Sequence, residues 1–385
     1  MKRIRLGDAC DILNGFAFKS DKYVEDGIRI IRIANVQKGY IEENAPAFYP
    51  IDSVGLEKYM LEEGDLLMSL TGNVGRVACL QKEMLPAALN QRVACLRLKV
   101  DRITKGFLFH ILNSDFFEQQ CVQASNGVAQ KNISTEWLKD YEIPLYSIEE
   151  QLKITDILDK VRRIIISRND ELSALDNLIK ARFVEMFGDP IQNPKGWEVV
   201  TIGDIVTEVR YGTSKPAVEG GKYPYLRMNN LTADGHLDLN DLKYIDIPDD
   251  EIEKCVVRKG DVLFNRTNSI ELVGKTAVFD LPEDMIIAGY IIRVRLTEKM
   301  LPEVLSQYMN LEALKGILRG MAKGAVNQAN INAQELQSIK VYIPEMELQK
   351  QFVKMKEQIY KSKFIDIINL LKILLFFKRG MYYGN

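Results

Sequence analysis

The stretch SIEEQLKITDILDKVRRIIISRNDELSALDNLIKARFVEM, from Ser147 to Met186, contains neither proline nor glycine. Its seam positions recur at alternating steps of three and four residues, which predicts a long helix packed along a second long helix. Ser147 and Glu150 form a capping-box signal at the start, and Gly188 with Pro190 forms a stop signal. The predicted helix covers residues 148–187, and its predicted seam consists of Gln151, Ile154, Leu158, Val161, Ile165, Arg168, Leu172, Leu175, Ile179, Arg182 and Met186.

A second stretch, EMELQKQFVKMKEQIYKSKFIDIINLLKILLFFKR from Glu345, repeats the pattern, so the chain supplies its own partner helix. Both stretches follow an Ile-Pro pair, and this alignment places Gln351 opposite Gln151. Arg168 and Arg182 interrupt the first seam, where they could set the helix register or meet a partner protein. The predicted seam of the second helix consists of Val353, Glu357, Tyr360, Phe364, Ile367, Leu371 and Leu374.

The composition is that of a soluble globular protein. The chain has 385 residues, 46% hydrophobic and 27% charged, and a net charge of −2, which leaves room only for a local basic face. Five scattered cysteines and two histidines give no metal-binding spacing and fit a reducing, cytoplasmic compartment. The apolar run FIDIINLLKILLFF is interrupted by polar residues and is too short for a membrane span, so no membrane association is expected.

The chain also repeats itself over about 195 residues. LGDACDILNGFAFKS from Leu6 resembles IGDIVTEVRYGTSKP from Ile202, and GDLLMSLTGNVG from Gly64 resembles GDVLFNRTNSIELVG from Gly260. Short apolar runs bounded by turn residues predict strands, and a helical segment follows in each repeat. We therefore expect an α+β fold with two tandem, mostly β domains at 1–146 and 196–344. We also expect long helices at 147–187 and 345–378 that pack against each other, with a linker at 188–195 and a tail at 379–385.

These features resemble the specificity subunit of a Type I restriction–modification enzyme. GDLLMSLTGNVG and GDVLFNRTNSIELVG are similar to that family's central target-domain motif, and IPLYSIEEQLKI and IPEMELQKQF are similar to the entries into its spacer helices. FGDPIQNPKGWEVVTIGD is similar to its mid-chain join. The resemblance implies two target-recognition domains that read the halves of a split, asymmetric double-stranded DNA site. It also implies that the two long helices pair as an antiparallel coiled coil. Methyltransferase subunits, two in number, and restriction subunits are the partners that the resemblance implies.

No catalytic signature accompanies this pattern. An NPPY-type methyltransferase motif, a glycine-rich cofactor fingerprint and a catalytic triad are all absent from the sequence. We therefore expect a non-catalytic recognition subunit without a cofactor of its own, with S-adenosylmethionine, ATP and magnesium held by partner subunits. Two alternatives remain open: a self-contained enzyme, and a coiled-coil adaptor that binds other proteins through its repeated domains.

DNA contacts are expected from polar and basic residues in the loops of each repeat. Arginine suits guanine, and asparagine or glutamine suits adenine, while other contacts reach phosphates. In the first repeat the candidates are Lys19, Arg32, Asn35, Thr71, Asn73, Arg76, Asn90, Gln91, Arg92, Lys131 and Asn132. In the second repeat they are Tyr211, Lys215, Arg227, Asn230, Arg266, Asn268, Lys275, Asn327, Gln328 and Asn330.

Overall fold

The computed structural model describes residues 2–125, 132–325 and 328–383, with the backbone alone described at 325 and 370–383. The chain divides into two compact units, Met1–Ile166 and Ser167–Asn385. This division falls inside the first long helix, so each unit contains part of that helix. No helix in the described ranges is both long enough and apolar enough to cross a lipid bilayer.

The first unit holds short strands and helices followed by the start of a long helix. The strands are β1 (Arg3–Arg5), β2 (Cys10–Asn14), β3 (Ile28–Ile31), β4 (Phe48–Tyr49), β5 (Leu66–Ser69), β6 (Val77–Cys79), β7 (Ala87–Leu89), β8 (Val93–Leu98) and β9 (Glu142–Pro144). The helices are α1 (Leu6–Ala9), α2 (Lys105–Leu112), α3 (Asp115–Ala124), α4 (Thr135–Asp140) and the long helix α5 (Ile148–Phe187).

The second unit repeats this succession with additional short strands. The strands are β10 (Glu198–Thr201), β11 (Val206–Tyr211), β12 (Tyr223–Leu226), β13 (Lys243–Ile245), β14 (Val256–Val257), β15 (Val262–Asn265), β16 (Thr267–Asn268), β17 (Thr276–Val278), β18 (Met285–Ile287), β19 (Ile291–Leu296), β20 (Lys323–Ala325), β21 (Gln328–Asn330) and β22 (Lys340–Ile343). The helices are α6 (Asp249–Cys255), α7 (Pro302–Met309), α8 (Glu312–Met321), α9 (Ala333–Gln337) and α10 (Met346–Tyr383).

The central sheets of the two units have the same topology. Their strand orders are β2-β8-β5-β6 and β11-β19-β15-β17, and all neighbours are antiparallel. A second sheet in each unit contains one parallel pair, β3 with β7 and β12 with β18. An antiparallel pair, β1 with β9 or β10 with β22, closes each unit before its long helix begins. The predicted α+β repeat is therefore confirmed.

Each helical segment predicted after the sheet is split into two helices. In the first unit α2 ends at Leu112, and Ser114 caps α3 by accepting a hydrogen bond from the backbone N–H of Phe117. In the second unit the break falls between Met309 and Glu312. A serine at the N-cap satisfies a backbone donor that the preceding helix cannot satisfy, which favours a new helix at that point.

The start of α5 follows the capping-box prediction. The Glu150 carboxylate accepts a hydrogen bond from the Ser147 backbone N–H at 3.0 Å, and the Ser147 hydroxyl accepts one from the Glu150 backbone N–H at 3.3 Å. α5 spans Ile148–Phe187, as predicted, and all eleven predicted seam residues are buried or partly buried. The heptad pattern therefore identified most of the buried stripe of this helix, but it left out Phe183 and Phe187, which are fully buried.

A fully buried glutamine joins the first turn of α5 to the first unit. The Gln151 side chain donates to the carbonyl oxygens of Arg102 at 2.8 Å and Tyr146 at 3.0 Å. It accepts a hydrogen bond from the backbone N–H of Thr104 at 2.8 Å. The direction in which the helix leaves the domain is therefore fixed by buried polar contacts.

Gln349 makes the same three contacts in the second unit. It donates to Lys299 at 3.0 Å and Pro344 at 2.8 Å, and it accepts from Leu301 at 2.9 Å. The predicted pairing of Gln151 with Gln351 is therefore wrong, because Gln351 is exposed. Aligning the two segments on their Ile-Pro pairs therefore placed the second helix two residues out of register.

The second half of α5 packs antiparallel against α10 within the second unit. Three contacts run in opposite order along the two helices: Phe183 with Phe352 at 5.3 Å between ring centroids, Asp176 with Lys363 at 2.5 Å, and Arg168 with Asp366 at 3.5 Å. Arg168 therefore lies opposite a carboxylate of the partner helix, which favours the register interpretation of this residue. Arg168 also pairs with Glu171 of its own helix at 2.5 Å, and Arg182 pairs with Glu185 of its own helix.

The predicted seam of α10 is confirmed at Val353 and Tyr360, which pack half-buried against the core, and is wrong at Glu357, Phe364 and Ile367, which are exposed. Phe352 is fully buried, whereas the side chains of Phe364 and Ile367 are 63% and 40% exposed. The stripe that faces α5 includes the charged residues Lys363 and Asp366, which a search for apolar heptads passes over. The side chains of Leu371 and Leu374 lie outside those that the structure describes.

The predicted tail is also partly wrong, because α10 continues to Tyr383 rather than ending at residue 378. Gly380 lies inside the helix. A single glycine in a helix costs only about 1 kcal/mol relative to alanine, so it does not by itself end a helix.

The linker between the repeats is fixed to the second unit. The hydroxyl groups of Tyr342 and Tyr308 donate to the carbonyl oxygens of Gly188 and Pro190, each at 2.9 Å. The indole N–H of Trp197 donates to the carbonyl oxygen of Phe187 at 2.8 Å. The hydrophobic core of this unit includes Phe187, so the end of α5 and the linker are built into that core.

Replacing Gln349 with leucine should destabilise the second unit. Q349L leaves three backbone groups without their side-chain partner, and each unsatisfied buried group costs about 1–3 kcal/mol. We expect the free energy of unfolding to fall by about 3 kcal/mol or more. The measurement is urea unfolding in a W137F background followed by tryptophan fluorescence, which then reports Trp197, packed against the core of that unit.

Q351L is the matched control, because Gln351 is exposed and lies on the same helix. A surface change of this kind is expected to alter stability by about 0.5 kcal/mol or less. Equal losses in the two variants would contradict the anchoring role of Gln349.

Candidate nucleic-acid interface

Most of the predicted DNA-binding residues of the first unit lie in loops at one end of its central sheet, where the strands begin or end. This end is called the sheet edge below. Strand pairing places Asn14 beside Ala94, Ser69 beside Val93, and Met68 beside Val77. The end of β2, the end of β5 and the starts of β6 and β8 therefore meet at this edge. The predicted residues in the loops at this edge are Lys19, Thr71, Asn73, Arg76, Asn90, Gln91 and Arg92.

Two further loops join the same edge. Thr71 forms a β-bridge with Asn132, which brings the segment before α4 to the loop between β5 and β6. The backbone N–H of Asn90 donates to the carbonyl oxygen of Ile31 at 3.3 Å, so Arg32 emerges beside the turn between β7 and β8. Lys131 lies outside the described residues.

Asn35 holds this last loop together. Its side chain accepts a hydrogen bond from the backbone N–H of Arg32 and donates one to the carbonyl oxygen of Glu42, both at 3.0 Å. Asn35 is buried, with 6% exposure. In the second unit, Asn230 makes the corresponding bonds to Arg227 and Asp238, both at 2.8 Å. These asparagines shape the loop in the free protein, and their contact with DNA stays a prediction.

The second unit assembles an equivalent edge. Strand pairing places Tyr211 beside Ile292 and Asn265 beside Ile291, and β16 pairs with β21 next to them. The predicted residues at this edge or in the loops leaving it are Tyr211, Lys215, Arg227, Asn230, Arg266, Asn268, Lys275, Gln328 and Asn330. Asn327 lies outside the described residues. The two sets of candidates, which are scattered along the sequence, are therefore brought together within each unit.

Several of the basic candidates are already paired with acidic groups. Lys215 lies 2.9 Å from Glu251, and Arg227 lies 2.6 Å from Asp241. Such exposed or half-buried pairs contribute little to stability, so their cations can exchange a carboxylate for a phosphate at small cost. Among the described residues, no carboxylate forms an ion pair with Arg92 or Arg266.

Lys275 has a structural role in the free protein. It is buried, and its ammonium group donates to the carbonyl oxygen of Met228 at 2.9 Å. Burial lowers its pKa below the ordinary value, because the charged form loses hydration. Lys275 therefore braces the loop that contains Met228, and its contact with DNA stays a prediction.

Sequence reasoning missed Lys315, which holds the neighbouring loop from the inside. Its ammonium group donates to the carbonyl oxygen of Gly274 at 2.6 Å, and burial lowers its pKa to about 8. Because Lys315 belongs to the buried stripe of the amphipathic helix α8, a lysine at an otherwise apolar position was the available signal.

A cleft of about 560 Å³ opens at the edge of the second unit. Its lining includes Thr213, Lys215, Tyr225, Arg227, Arg266 and Tyr290. Tyr290 is 51% exposed and was not among the sequence candidates. It follows the Ala-Gly turn before β19, and an exposed aromatic residue at such a turn was the signal available. The cleft thus combines cationic and aromatic groups, which suits contacts with phosphates, base edges and base faces.

Comparison with known proteins identifies the family. The family model described as "Type I restriction modification DNA specificity domain" matches residues 1–176 and 194–374. The EcoKI specificity subunit of Escherichia coli strain K12 is 23% identical over 370 residues, covering 91% of this chain and 80% of that protein. The EcoBI specificity subunit of Escherichia coli is 25% identical over 390 residues, covering 93% and 79%.

Solved structures share the fold. A chain of a type I restriction–modification system matches with a TM-score of 0.54 at 19% identity, covering 97% of this chain and 95% of the other. The S subunit of the Type I system from M. genitalium matches with a TM-score of 0.52 at 14% identity, covering 97% and 93%. The chain therefore belongs to the Type I restriction–modification DNA specificity family, whose members recognise DNA for a restriction–modification system.

Proposed function

We propose that this chain reads a bipartite, asymmetric double-stranded DNA site and directs methyltransferase and restriction subunits to it. The observation that carries the proposal is the duplicated sheet edge. Each unit gathers polar and basic loops at the same end of the same four-stranded sheet. Two copies of one recognition module suit a target with two separate half-sites.

The asymmetry of the target follows from the side chains at equivalent positions. The turn before β8 carries Gln91 and Arg92, whereas the turn before β19 carries Gly289 and Tyr290. Since base edges are read by side-chain donors and acceptors, units with different side chains select different bases. The two half-sites should therefore differ in sequence.

Partner subunits supply the chemistry in this proposal. The relatives named above are specificity subunits of restriction enzymes. We assign the use of S-adenosylmethionine to methyltransferase subunits, two per complex, and the use of ATP and magnesium to the subunits associated with them. The exposed apolar side chains of Phe364, Ile365 and Ile367 on α10 support a protein partner, because clustered apolar surface favours association.

The paired helices set the distance between the half-sites in this proposal. An α-helix rises about 1.5 Å per residue and resists bending, so its length acts as a ruler. The buried glutamine at the start of each long helix supports this role, because it fixes the helix to its own recognition unit.

Exchanging one recognition unit should change one half of the methylated sequence. The chain is co-expressed with a methyltransferase subunit in a host without DNA methylation, and modified adenines are mapped across the genome. We expect a split motif with a constant unspecified gap. Replacing residues 1–146 with the same segment of another specificity subunit should change only one half.

The reciprocal exchange of residues 196–344 is the matched control and should change only the other half. A stable complex that methylates the same sequence after both exchanges would contradict the proposal. Association with a methyltransferase subunit without any methylation would favour the adaptor alternative.

Lengthening both helices together should lengthen the gap. Seven residues inserted after Ser173 in α5 and seven after Phe364 in α10 preserve the heptad register and add about 10 Å. At about 3.4 Å per base pair, the gap should grow by roughly three base pairs. The same genome-wide map of modified adenines gives the new gap length.

An insertion into α5 alone is the control for this experiment. The contacts of Asp176 with Lys363 and of Phe183 with Phe352 lie on one side of the insertion. The part of α5 on the other side should shift relative to them, and methylation should be lost. An unchanged gap after the double insertion would exclude a ruler function for the helices.

A further inference from the structure

Backbone hydrogen bonds define which residues of the two units are equivalent. The backbone N–H of Leu70 donates to Arg92, and its carbonyl oxygen accepts from Ile133. The backbone N–H of Arg266 donates to Tyr290, and its carbonyl oxygen accepts from Ile331. Arg266 therefore occupies the position of Leu70, and Tyr290 occupies the position of Arg92. Each unit has one arginine at these two positions. The first unit has it at the position of Arg92, and the second unit has it at the position of Arg266.

The guanidinium group of Arg266 is held in one orientation. It lies 4.9 Å from the ring centroid of Tyr211, and Nη2 donates to the side-chain oxygen of Asn330 at 3.0 Å. Nη1 donates to the carbonyl oxygen of Gly289 at 3.4 Å. Tyr211 is itself fixed, because its hydroxyl accepts a hydrogen bond from the backbone N–H of Ala333 at 2.8 Å. Within the described part of the chain, one N–H on each terminal nitrogen is left for a ligand.

The fold alone does not account for an arginine at this position. Leu70 fills the equivalent place in the first unit with 7% exposure, so an apolar side chain suffices for packing. The Nε atom of Arg266 is buried without a hydrogen-bond partner, and among the described residues no carboxylate pairs with its charge. Leaving the buried Nε unsatisfied and the half-buried charge without a carboxylate is unfavourable for the free protein, which indicates that the charge serves a bound ligand.

The other cations of the cleft differ from Arg266 because each of them is paired with a carboxylate. Lys215 is paired with Glu251, and Arg227 is paired with Asp241. Arg266 lines the same cleft of about 560 Å³ at the sheet edge. It is therefore a fixed fork of donors, and such a fork matches the two acceptors, O6 and N7, that guanine presents in the major groove.

We propose that Arg266 reads a guanine in the half-site bound by the second unit, and that Arg92 reads a guanine in the half-site bound by the first unit. Arg92 is exposed, and the side chain of Asn90 accepts a hydrogen bond from its backbone N–H at 3.2 Å. Because the two arginines come from opposite members of the equivalent pair, the two guanines occupy non-equivalent places in their half-sites. This inference rests on the proposed function.

The test uses the full chain co-expressed with a methyltransferase subunit, with modified adenines mapped genome-wide. R266L installs the residue that the first unit uses, so the variant is expected to fold. R266L should lower discrimination at one guanine of one half-site by about 10- to 100-fold, since a bidentate arginine contact contributes that much selectivity. R266K keeps the charge without the planar fork and should also relax that base.

Two matched variants accompany it. R92A should relax one guanine in the other half-site and leave the first half-site unchanged. R319A removes an exposed arginine that pairs with Glu312 of its own helix, α8, and does not line the cleft, so it should leave the motif unchanged. Thermal melting and co-purification with the methyltransferase subunit show that each variant is folded and assembled.

Three results would contradict either the arginine–guanine inference or the proposed function. A folded R266L that keeps the wild-type motif at wild-type efficiency overturns the inference alone. A uniform loss of methylation in R266K and R266L without relaxation of one base would mean a phosphate contact, and it also overturns the inference. A wild-type chain that yields no split motif overturns the proposed function itself.

Discussion

The buried glutamine at the start of each long helix is the constraint on which the rest of the structure depends. Gln151 and Gln349 each satisfy two carbonyl oxygens and one backbone N–H that no other group reaches in the described structure. These backbone groups belong to the segments just before α2 and α7 and to the turn that begins the long helix. A change in the angle at which the helix starts would break all three bonds in the protein interior, so the first turn of each long helix is fixed to the sheet domain before it.

This rigid attachment gives the loops at the sheet edge a defined frame. The candidate DNA-binding residues lie on turns between strands whose register is fixed by the apolar core, and buried asparagines and lysines hold these turns in place. Four buried side chains form hydrogen bonds with backbone carbonyl or N–H groups of these turns: Asn35, Asn230, Lys275 and Lys315. A loop held in this way presents its outward side chains with little conformational entropy left to lose on binding.

The long helices combine apolar and ionic contacts along one interface. Phe183, Phe187 and Phe352 cluster at the end nearest the second recognition unit, with ring centroids 4.8–5.4 Å apart. Further along, the interface becomes polar, with Lys363 facing Asp176 and Asp366 facing Arg168. Apolar contacts tolerate sliding, whereas a buried or half-buried ion pair penalises it, so the charged pairs define the register that the aromatic cluster stabilises.

The sequence by itself determined the duplicated architecture and the limits of the first long helix. Heptad spacing, a capping box and a glycine stop are local signals, and local signals are sufficient for an isolated helix whose one face is buried. The family resemblance rested on the same local motifs in the same order. The position of α10's interface was not accessible in this way, because its contacts include Lys363 and Asp366, and charged residues acquire an interior role only when a partner helix supplies the opposite charge.

Only the tertiary structure decided which polar residues are available for recognition. In the sequence, Asn35 and Lys275 are polar or basic loop residues, just as Asn73 and Arg92 are. In the structure, Asn35 and Lys275 are buried and hydrogen-bonded to the backbone. The equivalence of Gln151 with Gln349, rather than Gln351, likewise depends on long-range hydrogen bonds. A side chain's partners in space follow from strand pairing between distant segments, and residue type and spacing along the chain do not contain that information.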